Sequence, residues 1–386
     1  MVQPRRRPTD IRDLRGTLVR ITRTSAVGAV ALVGALALSA CGSDNTSTGG
    51  SGSGSSASAA TNADCFSGQL NAEGSTAQKN AIEQAIKAFQ TACGDATINY
   101  NATGSGAGIK QFTGGQVDFA GSDSALKSSE QEAATKTCGS PAWDLPMVAG
   151  PIAVAYNVSG VDKLVLDAST TAKIFQGQIT TWNDPAIAKL NSGVTLPSTA
   201  IKVFFRSDES GTTENFTKYL NATAPDVWTA TPAKKWAGKG EGKEKSAGVS
   251  TAVKSTDGGI TYTEWSYAQQ NDLKIAAIDT GSGTPVELTG DSAGKAIAAA
   301  TQSGSGNDLA LKLDYATKAE GAYPIVLVTY EIVCSKYSDS AKATKVKAFL
   351  KSFSSDETQK SLESLGYAPL PSEIATKVQT AVDAIS

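Results

Sequence analysis

The 386-residue chain contains no histidine. That excludes a Ser-His-Asp or Cys-His nucleophile system, an H-E-x-x-H zinc site and any switch built on imidazole titration. None of the five cysteines is spaced C-x-x-C, which argues against thiolate zinc ribbons and thioredoxin-type redox motifs. No metal or cofactor motif is visible, so none is expected. What remains is ordinary globular material, with 40% apolar and 19% charged residues and 37 glycines. Global disorder is excluded, and the length suits about two domains.

Residues 1–40 read as a signal peptide. Arg5, Arg6, Arg7, Arg12, Arg15, Arg20 and Arg23 precede an apolar run over residues 26–38. That run is shorter than the about 20 residues of a membrane-spanning helix. It ends in Leu38-Ser39-Ala40-Cys41-Gly42, which resembles a bacterial lipobox with Cys41 as the lipidated residue. Plain cleavage after Ala40 is the alternative. The arginines lie far from the apolar core, which favours Sec over twin-arginine export. Residues 42–63 are almost all Gly, Ser, Thr, Ala and Asn, a flexible tether with a reach of roughly 25 Å. Loss of residues 1–40, with seven arginines and two aspartates, takes the formal charge from −2 to −7. Nothing here suggests a nucleic-acid binder. An anionic ligand would have to be drawn in by local donors against the overall field.

Cys65, Cys93, Cys138 and Cys334 remain after export, an even number that reads as two disulfides in an oxidising compartment. Three pairings are open. Cys93–Cys138 with Cys65–Cys334 is preferred because the first closes a local loop.

From residue 64 onward, short apolar runs alternate with amphipathic patterns. Strands are expected at Phe66–Leu70, Thr97–Tyr100, Val117–Ala120, Ile152–Tyr156, Lys202–Phe205 and Ile325–Val333. Helices are expected at 77–92, Thr170–Phe175, Thr212–Leu220, Ala341–Ser352 and Ser372–Ile385. The alternation indicates an α/β fold with mainly parallel sheets. The charged stretch Lys234 to Lys245 reads as a solvated loop rather than a phosphate cradle, because Glu241 and Glu244 offset its lysines.

Four segments share one design, in which a strand ends and small polar residues open a helix. Gly74-Ser75-Thr76-Ala77-Gln78 has capping-box spacing between Ser75 and Gln78. Gly104-Ser105-Gly106-Ala107-Gly108 can turn successive N–H groups inward, although it fits neither G-x-G-x-x-G nor a Walker A loop. Val117-Asp118-Phe119-Ala120-Gly121-Ser122-Asp123 ends on an acid placed to cap a helix or to face a ligand. Arg206-Ser207-Asp208-Glu209-Ser210-Gly211-Thr212 puts a guanidinium fork at a strand end, an acid to hold it, and a helix start beyond. Together they suggest helix N-termini, one arginine and one carboxylate converging on a small tetraoxyanion. Asp123 is the informative member. A carboxylate repels a fully ionised anion such as sulfate, yet accepts a hydrogen bond from phosphate, which keeps a proton near neutral pH.

These segments resemble the phosphate-binding lipoproteins of the Pst-type ABC phosphate importers, especially actinobacterial ones. Further markers are Gly150-Pro151-Ile152-Ala153-Val154-Ala155-Tyr156-Asn157 and Ile174-Phe175-Gln176-Gly177-Gln178-Ile179-Thr180-Thr181-Trp182. The resemblance covers nearly all of residues 64–386. It implies a two-lobed type II periplasmic-binding-protein fold with two crossover strands as hinge. One lobe would comprise 64–149 and 329–386, the other 150–328. It also implies high-affinity capture of inorganic phosphate outside the membrane and delivery to permease and ATPase subunits. The chain would be a monomer that touches the membrane only through its lipid. The ligand donors would be Thr76, Ala77, Ser105, Arg206, Ser210, Gly211 and Thr212. Asp123 would accept the phosphate proton, and Asp208 would orient Arg206. Ala77 stands where the family often has an aromatic residue, and Gly106 where some members have a second serine.

One enzymatic alternative has a hook. Ser124-Ala125-Leu126-Lys127 matches the S-x-x-K of penicillin-recognising serine enzymes. The only Ser-Asp-Asn lies in the tether, however, and Lys136-Thr137 is followed by cysteine instead of glycine.

Overall fold

A computed structural model describes residues 64–386; the signal segment, Cys41 and the tether expected over 1–63 lie outside the described residues. The strands are β1 (Gly68–Gly74), β2 (Ala96–Ala102), β3 (Phe119–Ser122), β4 (Ala142–Asn157), β5 (Val165–Asp167), β6 (Lys202–Arg206), β7 (Glu241–Lys243), β8 (Gly259–Glu264), β9 (Lys274–Ile275), β10 (Ala277–Asp279), β11 (Thr301–Gln302), β12 (Leu311–Lys312) and β13 (Val326–Cys334). The helices that bear on the site are α1 (Lys79–Ala92), α2 (Ser105–Thr113), α3 (Ser128–Cys138), α4 (Ala168–Phe175), α5 (Pro185–Leu190), α6 (Gly211–Thr223) and α7 (Lys245–Lys254). Five more follow, ending with α12 (Ser372–Asp383).

The main sheet runs β2-β1-β3-β13-β4-β8-β6-β7, with β9 also on β4. Its two flanks are parallel, β2-β1-β3 at one end and β8-β6-β7 at the other. The expected parallel pairing thus holds where helices connect successive strands. The middle is antiparallel, because β13 returns from late in the chain and inserts between β3 and β4. β4 is long enough to serve both halves. It pairs with β13 along Ala142–Pro151 and with β8 along Ile152–Asn157.

Two apolar cores flank this junction. Leu70, Ile82, Phe89, Phe119, Ile332, Phe349 and Phe353 belong to the first. Val154, Phe175, Trp182, Phe216, Tyr262 and Leu327 belong to the second. α1 shows the local logic: Ala81, Ile82, Ala85 and Phe89 fall at helical spacing and form its buried face. β4 passes from one core to the other between Val148 and Ala149, and β13 between Tyr330 and Ile332. The β13–β4 register slips between Thr329 and Tyr330. Such a slip re-aims side chains.

The disulfides correct the expected pairing. They are Cys65–Cys93 and Cys138–Cys334, with Cα separations of 5.3 and 5.5 Å. The first closes a shorter loop than the expected Cys93–Cys138, with a sequence separation of 28, and sheet register brings the second together across 196 residues. α1 carries the chain back alongside β1, so Cys93 at its end meets Cys65 just before β1. Cys334 pairs in register with Ala142 at the start of β4, beside the end of α3 where Cys138 lies.

Candidate functional site

Parallel strands deliver their C-terminal ends to one edge, where ligands of α/β folds bind. In the first half, β1 leads to Ser75–Gln78, β2 to Gly104 and Ser105, and β3 to Asp123. In the second, β6 ends at Arg206 and α6 begins after Ser210, while β8 ends at Glu264. All eight residues expected to touch the ligand are buried.

Arg206 is only 2% exposed. Asp208 grips its fork from both sides, through Nε to Oδ1 at 2.8 Å and through Nη2 to Oδ2. Its Nη1 reaches the hydroxyls of Ser246 at 3.1 Å and Thr212 at 3.4 Å. Burial acts to lower the guanidinium's proton affinity, but the Asp208 hydrogen bonds and charge outweigh it and hold Arg206 above its ordinary value. Burial likewise acts to raise Asp208, and Arg206 outweighs it, so Asp208 stays below the ordinary carboxylate range. Asp208 Oδ1 also accepts from the Lys245 backbone N–H at 2.9 Å. Lys245 has a φ of 63°, a left-handed conformation that costs a lysine energy and here aims that N–H.

Asp123 is held without a cation. Its Oδ1 accepts from Ser75 and, at 2.8 Å, from Thr329; its Oδ2 accepts from Ser105 at 2.9 Å. Burial pushes its carboxyl up to about 6, and the Glu264 charge adds to this while the three hydroxyls oppose it. The absence of histidine excludes an imidazole switch, yet the site still holds a carboxyl whose proton affinity burial raises toward neutral pH.

The two halves touch across the site. Gly106 N–H donates to the Glu209 carbonyl at 3.0 Å, and Asn215 donates to the Asp123 carbonyl at 2.7 Å. Lys110 pairs with Glu209 at 2.6 Å. Thr76 and Ser246 hydroxyls lie 2.8 Å apart. Gly211 needs its missing side chain here, since a Cβ would stand 2.5 Å from Asp123 Cβ and 2.6 Å from Ser105 Oγ.

Several local expectations change. Ser75 and Gln78 form only half of a capping box: Ser75 Oγ accepts from the Gln78 N–H at 3.4 Å, but the Gln78 side chain does not return to the Ser75 N–H, which donates to the Gly121 carbonyl. Ser75 Oγ accepts from Ala77 N–H at 3.0 Å and gives its proton to Asp123, while Gln78 turns to Tyr100. Asp123 does not cap α3, whose N-cap is Lys127. Ser210 does cap α6, accepting from Thr213 N–H at 3.2 Å. The stretch from Lys234 is not simply solvated. Lys234 is buried between Glu214 at 3.4 Å and Glu130 at 3.9 Å, and the adjoining Ser246 joins the site. Ser124 Oγ is buried without a partner, and Lys127 is exposed.

Sequence reasoning missed Ser246, Glu264 and Thr329. Glu264 accepts the Thr212 hydroxyl proton, so that hydroxyl is already committed. An acid closing the buried run Gly259–Glu264 was the available signal. Ser246 and Thr329 carried none, because each reaches the site from a distant element.

A family model described as the PBP superfamily domain matches residues 48–357. The fold is shared with solved structures. One is a high-affinity periplasmic phosphate-binding protein, PfluDING, bound with phosphate, at a TM-score of 0.66 and 22% identity over 81% of this chain and 93% of that one. Another is a putative phosphate ABC transporter substrate-binding protein with bound phosphate from Clostridium perfringens, at 0.58 and 18% over 79% and 100%. These likenesses define the class as a type II binding-protein fold.

Sequence relatives narrow it. Phosphate-binding protein PstS 3 of Mycobacterium tuberculosis is 51% identical over 373 residues, 95% of this chain and all of that protein. Phosphate-binding protein PstS of Xylella fastidiosa is 32% identical over 319 residues, 81% and 84% of the two chains. The chain belongs to the Pst-type phosphate-binding protein family.

Proposed function

We propose that this protein captures inorganic phosphate outside the cytoplasmic membrane and delivers it to the permease and ATPase subunits of an ABC importer. Thr76, Ala77, Ser105, Arg206, Ser210, Gly211 and Thr212 would supply donors, and Asp123 would accept the phosphate proton. The protein would act as a monomer tethered by a lipid on Cys41. Residues 64–149 with 329–386 and residues 150–328 would form two lobes that hinge on β4 and β13.

The observation that carries this reading is the charge balance of the buried cluster. Arg206 is the one cation bonded within it, and it is matched by Asp208; Asp123 and Glu264 add two carboxylates. An anion entering such a place must bring a proton to Asp123 or find one already there. Phosphate can bring one, and sulfate cannot.

Binding exchanges bonds instead of adding them. Six hydrogen bonds to a charged ligand give roughly 9–18 kcal/mol gross. Ala77 N–H, Gly106 N–H and the Thr76 and Ser105 hydroxyls already have protein partners. Part of the gross gain is returned in breaking those contacts, yet micromolar affinity needs only about 8.2 kcal/mol net.

Calorimetry on protein stripped of bound anion tests the reading at pH 7.5. Phosphate is expected to bind tightly and sulfate to stay silent at millimolar concentration. Sulfate binding of comparable strength would overturn the role of Asp123.

A further inference from the structure

Glu331 lies on β13, fully buried, and neither of its carboxyl oxygens has a hydrogen-bond partner. It sits in register with Gly121 of β3 and Leu145 of β4. Among the described residues no lysine or arginine pairs with it. The polar group beside it is the side chain of Gln78. Gly121 leaves room for this arrangement, since a Cβ there would come within 2.5 Å of the Tyr100 hydroxyl.

Gln78 has an orphan of its own. Its Nε2 donates to the Tyr100 oxygen at 3.0 Å, but its Oε1 is buried without a donor. Tyr100 in turn donates to the Ser75 carbonyl at 2.8 Å. The polarity of this chain is set at Tyr100. Its single proton goes to the Ser75 carbonyl, so its oxygen receives an N–H from Gln78. That leaves Gln78 Oε1 and both Glu331 oxygens as three buried acceptors without a donor. An ionised Glu331 would leave a buried charge with no cation and no hydrogen bond, whereas a carboxylic acid removes the charge and brings a hydrogen to this acceptor-rich pocket.

We propose that Glu331 holds a proton in the assembled site and that this proton, acting through Gln78 and Tyr100, positions the Ser75–Ala77 loop for its ligand. The proposal rests on the phosphate reading above. Glu331 is a positioning residue, three side-chain steps removed from the anion.

The electrostatics agree with the geometry. Burial pushes the Glu331 carboxyl up to about 8, with the Asp123 charge adding to it and the Gln78 contact opposing it. The titratable groups facing the chain are Asp123 beyond β3, Tyr100 on β2 and Tyr267, which acts on Tyr100. All are acids, so nothing there draws the proton off. A bound anion beside Asp123 adds more negative charge and tightens the proton on Glu331. By linkage, loss of that proton loosens the anion.

The test is calorimetry with inorganic phosphate at pH 7, 8 and 9 on the wild-type protein, Glu331→Gln and Tyr100→Phe. Phosphate is almost wholly a dianion over the upper span, so its own titration contributes little there. Wild-type affinity is expected to fall about three- to tenfold from pH 8 to pH 9. Glu331→Gln keeps a neutral side chain with a donor at every pH, so it should bind at pH 7 within about twofold of wild type and lose most of the alkaline decline. Tyr100→Phe should bind about tenfold more weakly already at pH 7. Infrared spectra at pH 7 should show a buried carboxylic-acid band that Glu331→Gln removes. A pH-independent wild type, an equal decline in Glu331→Gln, or a missing band would each overturn the proposal. If the wild type fails to bind phosphate at pH 7, the phosphate reading falls, and the infrared band alone decides whether Glu331 holds the proton.

Discussion

Arg206 and Asp123 are buried in one cluster and stabilised in opposite ways. Arg206 has a dedicated counter-ion that touches two of its nitrogens, and its charge is fixed at any working pH. Asp123 has three hydroxyls and the field of a second acid, and its charge is set by pH near 6. The cationic end therefore supplies constant attraction, while the acidic end responds to protons. On the proposed reading, selection between oxyanions would belong to the end that can change.

Removing the constant end should have the largest effect. Arg206→Ala leaves Asp208 without its counter-ion and Glu264 without a nearby positive charge, and phosphate affinity should drop about a hundredfold or more in calorimetry. Retained affinity would sink the assignment of this cluster as the site.

Changing the responsive end should alter selectivity more than strength. Asp123→Asn should weaken phosphate about tenfold and make sulfate binding measurable. The pH dependence has a definite sign. The folded protein raises this carboxyl to about 6, so it favours the protonated form. The resulting stabilisation is full below the ordinary carboxylate range and is lost as pH rises through about 6. Sulfate should therefore begin to bind wild type as pH falls through about 6, whereas the asparagine variant should bind it without that step. Wild type that ignores sulfate at pH 5 would break the contrast between the two ends.

The smallest effect is expected just outside the cluster. Ser124 Oγ is buried with no partner, so Ser124→Ala removes a polar group that makes no bond. Affinity should stay within about twofold and the melting temperature should hold or rise slightly. A large loss would bring the S-x-x-K reading back into play.

The four loop segments were legible because each is a local event, a strand end followed by small polar residues that start a helix or a turn. Arg206 and Asp208 could even be paired from their spacing of two. Thr329 and Glu331 could not be singled out, because within Val326–Cys334 they read as interruptions of an apolar strand. Their roles depend on which strands flank β13, and that order is non-local. The long-range disulfide was hidden for the same reason, because the return of β13 beside the start of β4 placed Cys334 against Cys138. The local one was misassigned to Cys93–Cys138, although Cys65 lies nearer to Cys93 in sequence, at a separation of 28. The Ser75–Gln78 spacing misled in the other direction. It matched a capping box, of which only the Ser75 half forms, because Tyr100 takes the Gln78 side chain and Asp123 takes the Ser75 hydrogen.

The late insertion of β13 also bears on how the molecule is made. Residues 326–334 occupy the middle of a sheet whose outer strands are synthesised far earlier. Until they emerge, β3 lacks its inner neighbour and β4 lacks the partner along its first ten residues. Neither core can be completed before the chain is nearly finished, because each draws residues from β13. A growing chain of this topology stays incompletely folded for most of its synthesis. The sheet therefore closes late, when its last strand becomes available to fill the gap between β3 and β4.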